Sequence, residues 1–334
     1  MKVLIITEGS KKIGFGHITR CLSIYQAFEE KDISPLMIIN GDDTVTSLLT
    51  NQNYEFFDWL KNTKKLVELV KDSDISIIDS YLADFSLYES ISNLSKIAVY
   101  LDDNNRINYP KGIILNGSVH AKELEYPLVD YNDYILGNQY IPLRREFWKI
   151  PDKKINKNVK NIMITFGGDD VRNLTPKIMK ALNEHFPQLN ITIIIGRGFN
   201  NIEVIKKNSN AKNKLIFDPN AKEIVEIMLE SDIAISAAGQ TLNELARIGT
   251  PTITVLVASN QINHINYWDK KGFVQYAGAW DDENLLNTIL ENIKILKNED
   301  LRRAKSEIGR KNVNGLGPVK IAEYCLKKID KMVN

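Results

Sequence analysis

The chain has 334 residues, of which 43% are hydrophobic and 25% are charged; this composition excludes a fibrous or disordered chain and is typical of about two globular domains. The 43 Lys and Arg residues are balanced by 42 Asp and Glu residues, so we expect no nucleic-acid partner, because such proteins show a basic excess. The two cysteines, Cys21 and Cys325, exclude a disulfide framework and a four-cysteine zinc site. No apolar run is long enough for a secretory signal or a membrane span, so we expect a soluble, cytoplasmic monomer.

The first half of the chain alternates short apolar strands with amphipathic helices. The first predicted strand, 2–7, is followed by a glycine-rich loop and a helix whose apolar residues recur every three or four positions. Further strands are predicted at 35–39, 75–79 and 97–101, with helices near 61–71 and 84–94. This alternation predicts a parallel sheet with helices on both faces.

The same alternation begins again after a polar, Lys- and Asn-rich stretch. Strands are predicted at 161–166, 191–195, 214–217, 233–236 and 252–255, and helices at 282–297, 299–311 and 318–332. We therefore predict an α/β chain with two doubly wound, Rossmann-like domains, at 1–142 and 161–280, joined by a linker at 143–160 and followed by C-terminal helices at 281–334. In open parallel sheets, ligands bind beyond the carboxyl ends of the strands, so we expect a ligand in the cleft between the domains.

The loop after the first strand, residues 8–20, is the most informative. Gly14 and Gly16 permit close approach of the backbone to a ligand, and the helix that starts near His17 offers N–H groups to an anion. The loop lacks the third glycine of the dinucleotide fingerprint, because Thr19 occupies that position. A helix start disfavours imidazolium, so His17 would stay neutral and accept a proton. A purely structural role at the helix start is the alternative.

Three loops of the second half also follow predicted strands. Gly167 and Gly168 precede a helix, and an ordinary capped turn is the structural alternative there. Small residues around Gly239 would let a diphosphate approach the helix start at Gln240 and Thr241, one turn before Glu244, which could accept hydrogen bonds from a ribose. The last loop carries Asn260 and Gln261, which either cap the next helix or bind sugar hydroxyls and amides.

Taken together, these segments resemble the hydrolase of pseudaminic acid biosynthesis that cleaves UDP-2,4-diacetamido-2,4,6-trideoxy-β-L-altropyranose. The resemblance rests on Ile-Gly-Phe-Gly-His-Ile-Thr-Arg at 13–20, Phe-Gly-Gly-Asp at 166–169, Ala-Gly-Gln-Thr-Leu-Asn-Glu at 238–244 and Asn-Gln at 260–261. It extends to the segments 77–81, 101–103, 115–116 and 143–147. The resemblance implies the GT-B fold, which that family shares with the inverting N-acetylglucosaminyl transferase of peptidoglycan synthesis.

The resemblance also implies roles for individual residues. His17 matches the histidine proposed to activate the attacking water, with inversion at the anomeric carbon. Gly14, Gly16 and Arg20 are expected to bind substrate. The remaining substrate-binding residues are expected in a nucleotide-diphosphate cradle (Gly167, Gly168, Gly239, Gln240 and Thr241), at the ribose (Glu244) and at the sugar (Asn260 and Gln261).

Hydrolysis of a UDP-linked diacetamido-trideoxyhexose is therefore the expected activity, with no cofactor and no metal. An inverting GT-B glycosyltransferase that uses the same base on an acceptor hydroxyl is the first alternative, and a non-catalytic nucleotide-sugar sensor is the second. His120 and His264 are weaker candidates for substrate contact. The pair Asp102 and Asp103 follows a strand, and we expect it to support neighbouring site residues or to cap a loop rather than to bind a metal.

Overall fold

A computed structural model of the protein describes residues 1–10, 13–49, 51–127 and 129–333. Within these ranges the chain divides into two compact units. The first unit contains Met1–Trp148 together with the segment from Gly315 onward, and the second contains Lys149–Asn314.

The first unit is built on a parallel sheet. Its strands in the described ranges are β1 (Val3–Gly9), β2 (Leu36–Gly41), β3 (Tyr54–Phe56), β4 (Ser73–Asp79), β5 (Ser95–Leu101), β6 (Gly112–Asn116) and β7 (Asn132–Leu136), in the order β3-β2-β1-β4-β5-β6-β7. The helices between them are α1 (Gly16–Glu29), α2 (Thr63–Val70) and α3 (Phe85–Leu94).

Both faces of this sheet are covered, which explains why its central strands are apolar at successive positions. Val3 and Ile5 of β1 belong to a core that contains the apolar face of α1. Leu4 and Ile6 point to the opposite face and pack with side chains of α2 and α3. The period of two along a strand therefore divides one apolar run between two cores.

The second unit repeats this plan. Its strands in the described residues are β8 (Asn161–Thr165), β9 (Asn190–Ile195), β10 (Asn213–Phe217), β11 (Ile233–Ala237), β12 (Thr252–Leu256) and β13 (Val274–Ala279), all parallel, in the order β10-β9-β8-β11-β12-β13. Its helices are α4 (Leu174–His185), α5 (Ile202–Asn208), α6 (Ala221–Glu230), α7 (Gln240–Ile248), α8 (Ile262–Lys271), α9 (Leu285–Ile295) and α10 (Glu299–Asn312).

The last helix, α11 (Gly317–Val333), returns to the first unit. Ile321, Cys325 and Ile329 on one face of α11 are buried in the same core as α1. Residues 281–334, which the sequence groups as one helical region, are thus divided between the units. The reason is that α9 packs its apolar face into the core of the second unit, and α11 packs its own into the first.

The segment 143–160, predicted as a linker, is also divided, between Trp148 and Lys149. The Trp148 indole is buried in the first unit and donates a hydrogen bond to the Leu143 carbonyl at 2.7 Å. The Lys153 ammonium donates to three carbonyl groups at the end of α6, at 2.5–2.9 Å. The segment is therefore folded onto the units: Trp148 is buried in the core of the first unit, and Lys153 binds the end of α6 in the second.

The predicted fold class, two doubly wound Rossmann-like units with a helical C-terminal end, is confirmed. The strands β3, β6, β7 and β13 are not predicted by the sequence analysis.

In each sheet the strand order reverses direction beside the first strand of the unit, between β1 and β4 and between β8 and β11. Ligands bind at such reversal points in open α/β sheets. Among the described helices, none has both the length and the apolar character that crossing a bilayer demands.

Candidate functional site

In the first unit, the loop after β1 delivers His17 into the first turn of α1. Gly14 has a φ of 91° and its N–H donates to the Ser10 carbonyl at 2.8 Å, which closes a tight turn. A methyl group added at Gly16 would meet no atom within 4 Å, so packing does not explain this glycine. The residues 11–12 of the loop lie outside the described ranges.

His17 is not a capping residue, because α1 begins at Gly16 and Phe15 occupies the N-cap position. Its Nδ1 lies 2.7 Å from Oδ1 of Asp79, at the end of β4. An ionised carboxylate only accepts hydrogen bonds, so Nδ1–H donates, and Nε2 is the ring nitrogen left to accept a proton. The His17 side chain is 11% exposed, and the Tyr81 ring packs edge-on against it with centroids 4.8 Å apart. The arrangement is suited to taking a proton at Nε2.

Asp79 is held ionised in a buried position. Burial alone would raise the pKa of this carboxyl group, but the charges of Arg20 and His17 and their hydrogen bonds outweigh burial and lower the pKa to about 2. Arg20 donates to Asp79 through Nε and through Nη2, the latter at 2.5 Å to the same oxygen that accepts from His17. Asp79 therefore fixes both the tautomer and the orientation of the imidazole.

Arg20 is also bound to a second carboxylate. Its Nη1 lies 2.8 Å from both oxygens of Asp103, which follows β5, and Tyr81 donates its hydroxyl to the same carboxylate. Burial acts to raise the pKa of Asp103, but the Arg20 charge and hydrogen bond lower it. The predicted substrate contact of Arg20 stays a prediction; the bonds that the structure contains support a role in holding Asp79 and Asp103 in place.

Sequence reasoning assigned no role to Asp79 or Tyr81 as individual residues and expected only a supporting or loop-capping role for Asp103, although 77–81 and 101–103 contribute to the resemblance. The signal was present, because β4 and β5 follow β1 in the sheet order and their carboxyl ends share one edge. Asp102 has the loop-capping role that the sequence favours: it accepts hydrogen bonds from the backbone N–H groups of Asn105 at 2.6 Å and Arg106 at 3.1 Å.

In the second unit, the loop after β8 exposes glycine backbone. Gly167 has a φ of 76°, and a methyl group there would meet no atom within 4 Å. The Gly168 carbonyl accepts a hydrogen bond from Gly198 at 2.8 Å, so this residue has a packing role as well. The buried Asp170 caps α4 through the N–H groups of Leu174 and Thr175 at 2.9 and 3.0 Å. The capped turn expected as the alternative is therefore present, with Gly167 still open to a ligand.

The loop after β11 leads into α7, with Gly239 at its N-cap. A methyl group at Gly239 would approach only the Gln261 amide nitrogen, at 4.0 Å, so these two predicted residues lie side by side. Gln261 in turn accepts a hydrogen bond from the Val257 N–H at 3.3 Å, which ties it to the end of β12. Gln240 and Thr241 open α7 and are half-buried. The first N–H groups of a helix have no intrahelical acceptor, so the start of α7, beside Gly239 and Gln261, is suited to binding an anion.

Two further predicted residues lie near the start of α7. Glu244 lies one turn into α7 and is 6% exposed. Asn260 is exposed in the short 3-10 turn Ser259–Gln261 that precedes α8. The structure thus brings Gly239, Gln240, Thr241 and Gln261 together, with Asn260 next to Gln261 in the chain.

His264, a weaker candidate, is engaged by the protein itself. Its Nδ1 lies 2.9 Å from the Ala238 carbonyl, and Nε2 accepts from the Trp268 indole N–H at 3.0 Å and lies 2.9 Å from the Asn243 amide. These contacts hold the loop before α7 against α8. They favour a structural role over proton transfer.

Arg172 is a charged residue of this edge that sequence reasoning missed. It lies in the loop between β8 and α4, and its Nε donates to the Val257 carbonyl, after β12, at 3.2 Å. Its guanidinium carbon lies 4.1 Å from the centroid of the Trp280 ring, after β13. Since β11 lies between β8 and β12 in the sheet, Arg172 supplies positive charge beside the loop that leads to α7. No local motif marks it, because its position depends on strand order.

Among the residues that the structure describes, no group of three or more His, Cys, Asp or Glu side chains has the geometry to hold a metal ion. That the activity requires no metal ion remains a prediction.

Comparison with known proteins relates both units to enzymes of nucleotide sugars. Residues 161–313 match the Glycosyltransferase family 28 C-terminal domain. The chain is 27% identical over 303 residues, 90% of its length and 52% of the relative's, to the Helicobacter pylori protein named pseudaminic acid cytidylyltransferase and UDP-2,4-diacetamido-2,4,6-trideoxy-beta-L-altropyranose hydrolase. It is 27% identical over 286 residues, 83% of its length and 99% of the relative's, to the Campylobacter jejuni UDP-2,4-diacetamido-2,4,6-trideoxy-beta-L-altropyranose hydrolase. The resemblance inferred from the motifs is confirmed.

The chain spans about half the length of two of the curated relatives it matches, the Helicobacter protein among them. In structure, it is similar to MurG from Acinetobacter baumannii, with a TM-score of 0.59, 13% identity, and coverage of 98% of this chain and 100% of the other. At 13% identity this similarity shows a common fold only, and it supports the assignment of the GT-B fold.

Proposed function

We propose that the protein hydrolyses a UDP-linked diacetamido-trideoxyhexose at the anomeric carbon and releases UDP and the free sugar. The observation that carries this proposal is the hydrogen bond of 2.7 Å between His17 Nδ1 and the buried Asp79, beside the switch point of the first sheet. Relatives named as hydrolases of such a UDP-sugar support the substrate class. Their names also support a role in the biosynthesis of a pseudaminic-type nonulosonic acid.

In the proposed reaction, His17 Nε2 accepts a proton from water as the water oxygen attacks the anomeric carbon. The bond from that carbon to the diphosphate oxygen breaks, its electron pair leaves with UDP, and the configuration at carbon inverts. The imidazolium that forms is stabilised by Asp79, which remains ionised because Arg20 lies beside it. A positioned base of this kind contributes about 10²–10⁴-fold to the rate.

The second unit would bind the nucleotide diphosphate. The exposed backbone at Gly167 and Gly239, the start of α7 and the Arg172 guanidinium supply N–H groups and positive charge for the leaving group. Stabilisation of charge on the leaving oxygen makes a protein acid unnecessary, since UDP is a good leaving group. Glu244 would accept hydrogen bonds from the ribose hydroxyls, and Asn260 and Gln261 would contact the sugar.

An inverting glycosyltransferase is the second candidate, and the match of residues 161–313 to a glycosyltransferase domain favours it. In that reaction His17 would take the proton of an acceptor hydroxyl instead of water. The fold and the base are common to both reactions, so neither separates them.

Nucleotide release from a panel of UDP-sugars, measured with and without candidate acceptors, separates the two reactions. We expect UDP release from the diacetamido-trideoxyhexose donor in water alone. Release only in the presence of an acceptor would replace the hydrolase with the transferase. Tight binding of donors without release under either condition would indicate a nucleotide-sugar sensor.

A further inference from the structure

His120 is a buried histidine at the same edge of the first sheet as His17. It follows β6 and immediately precedes a 3-10 turn, Ala121–Glu123. The residue is only 7% exposed, yet neither Nδ1 nor Nε2 has a hydrogen-bond partner among the described residues. The buried hydroxyl of Ser118, two residues earlier in the same loop, also lacks one within that part of the chain.

Such a loop is costly for a protein to maintain. A buried polar atom without a partner costs about 1–3 kcal/mol, and native proteins satisfy most of these atoms. Burial lowers the pKa of His120, although the charges of Asp103 and Glu123 act in the opposite direction. The neutral ring then offers one N–H donor and one acceptor nitrogen.

The position of His120 relates it to the proton-transfer residues. The strands β1, β4, β5 and β6 are consecutive in the sheet, so the loops after them share one edge. The Asp103 carboxylate, which acts on His120 through its charge, also accepts the hydrogen bonds of Arg20 and Tyr81. His120 and His17 thus both lie at the edge of the sheet that carries this cluster of charged residues.

We propose that His120 is a substrate-binding residue that contacts a substituent of the sugar able both to donate and to accept a hydrogen bond. A hydroxyl group and an acetamido group both have this property. This inference rests on the proposed function, since it takes a nucleotide sugar as the substrate. It assigns recognition of the sugar to the loop after β6, whereas His17 transfers the proton.

The test compares His120→Leu and His120→Gln with the unaltered protein. His120→Leu removes the two buried nitrogens, so the Tm should be unchanged or higher. Affinity for UDP, measured by calorimetry, should not change. The KM for the diacetamido donor should rise by about 10-fold or more, because the sugar substituent loses its partner. His120→Gln, whose amide both donates and accepts, should recover part of the loss in KM.

His185→Leu, at an exposed histidine of the second unit, is the matched control and should change neither the affinity for UDP nor the KM.

Parallel binding measurements with UDP-N-acetylglucosamine and UDP-glucose identify the substituent. A loss confined to the N-acetylated donor indicates an acetamido group, and an equal loss with both indicates a hydroxyl. An unchanged KM for His120→Leu, with a raised Tm, would make His120 a purely structural residue and overturn the inference while leaving the proposed function intact. If the unaltered protein neither binds nor cleaves any of these donors, both proposals fail.

Discussion

The two units share one sheet topology but present different chemistry at the carboxyl edge of the sheet. In the first unit, the start of α1, the end of β4 and the loop after β5 carry side chains that bind each other: His17 and Arg20 converge on Asp79, and Arg20 also binds Asp103. In the second unit, the corresponding edge consists of glycine backbone at Gly167 and Gly239, a helix start and amide side chains.

This difference indicates how one architecture supports two tasks. Proton transfer requires an imidazole of fixed tautomer and orientation, which a buried network of charges supplies. Anion binding requires backbone N–H groups that a ligand can approach, which glycines and a helix start supply. Substitutions in the His17–Asp79–Arg20 network of the first unit should therefore change turnover, and substitutions at the diphosphate and ribose contacts of the second unit should change nucleotide affinity.

The largest effect is expected from His17→Asn. Turnover should fall by about 10²–10⁴-fold, the contribution of a positioned base, while substrate affinity stays near that of the unaltered protein because a base acts in the transition state. Steady-state kinetics with the diacetamido donor provide the measurement, and His185→Asn, at an exposed histidine, is the control. Unchanged turnover with an unchanged Tm would remove His17 from the mechanism.

Asp79→Asn should lower turnover by about 10-fold or more, but by no more than His17→Asn, because Asp79 acts only through the imidazole. For the same reason, the double variant should be no slower than His17→Asn alone. Kinetics should be measured well below the Tm, since loss of one partner from a buried ion pair is destabilising. An additive loss in the double variant would assign Asp79 a separate role.

The lowered pKa of Asp79 predicts a loss of stability in acid. The carboxyl group has a pKa of about 2 in the folded protein against an ordinary value of 3.8. Its ion pairs therefore stabilise the fold above pH of about 4 and are lost as the pH falls toward 2, at a cost of roughly 2 kcal/mol in the free energy of unfolding. Urea unfolding across this range should be less pH-dependent in Asp79→Asn. Equal pH dependence in the two proteins would contradict the assignment.

In the second unit, Glu244→Ala should weaken UDP binding by about 1–3 kcal/mol, the usual cost of removing a charged hydrogen-bond partner. Calorimetric titration with UDP measures this effect, and Glu226→Ala, at an exposed position of α6, is the matched control. If Glu244→Ala instead lowered turnover and left UDP affinity unchanged, the division of tasks between the two units would be wrong.

No change is expected on treatment with EDTA, because the proposed steps use His17, backbone N–H groups and Arg172. UDP release should proceed at the same rate with and without the chelator. A complete loss of turnover that Mg²⁺ or Mn²⁺ restores would require a metal at the diphosphate.

Much of the fold follows from local patterns. Every strand predicted from apolar runs is present, and all of them except the partly exposed edge strand β10 are largely buried, which requires apolar residues throughout their length. Of the strands that escaped prediction, β3 and β7 are only partly buried and more polar, as strands in the outer part of a sheet can be. Polarity does not explain β6, which is short but apolar and buried. The division of the C-terminal helices could not be predicted, since the apolar face of α11 is compatible with either core.

The sequence by itself determined the α/β alternation, the glycine-rich loops after β1, β8 and β11, and the position of His17 at a helix start. Only the tertiary structure decided which residues act with it. Asp79 is 62 residues from His17, and Asp103 is 83 residues from Arg20. These pairs meet because β4 lies beside β1 and β5 beside β4, and local periodicity sets the length and faces of a strand without specifying its neighbour.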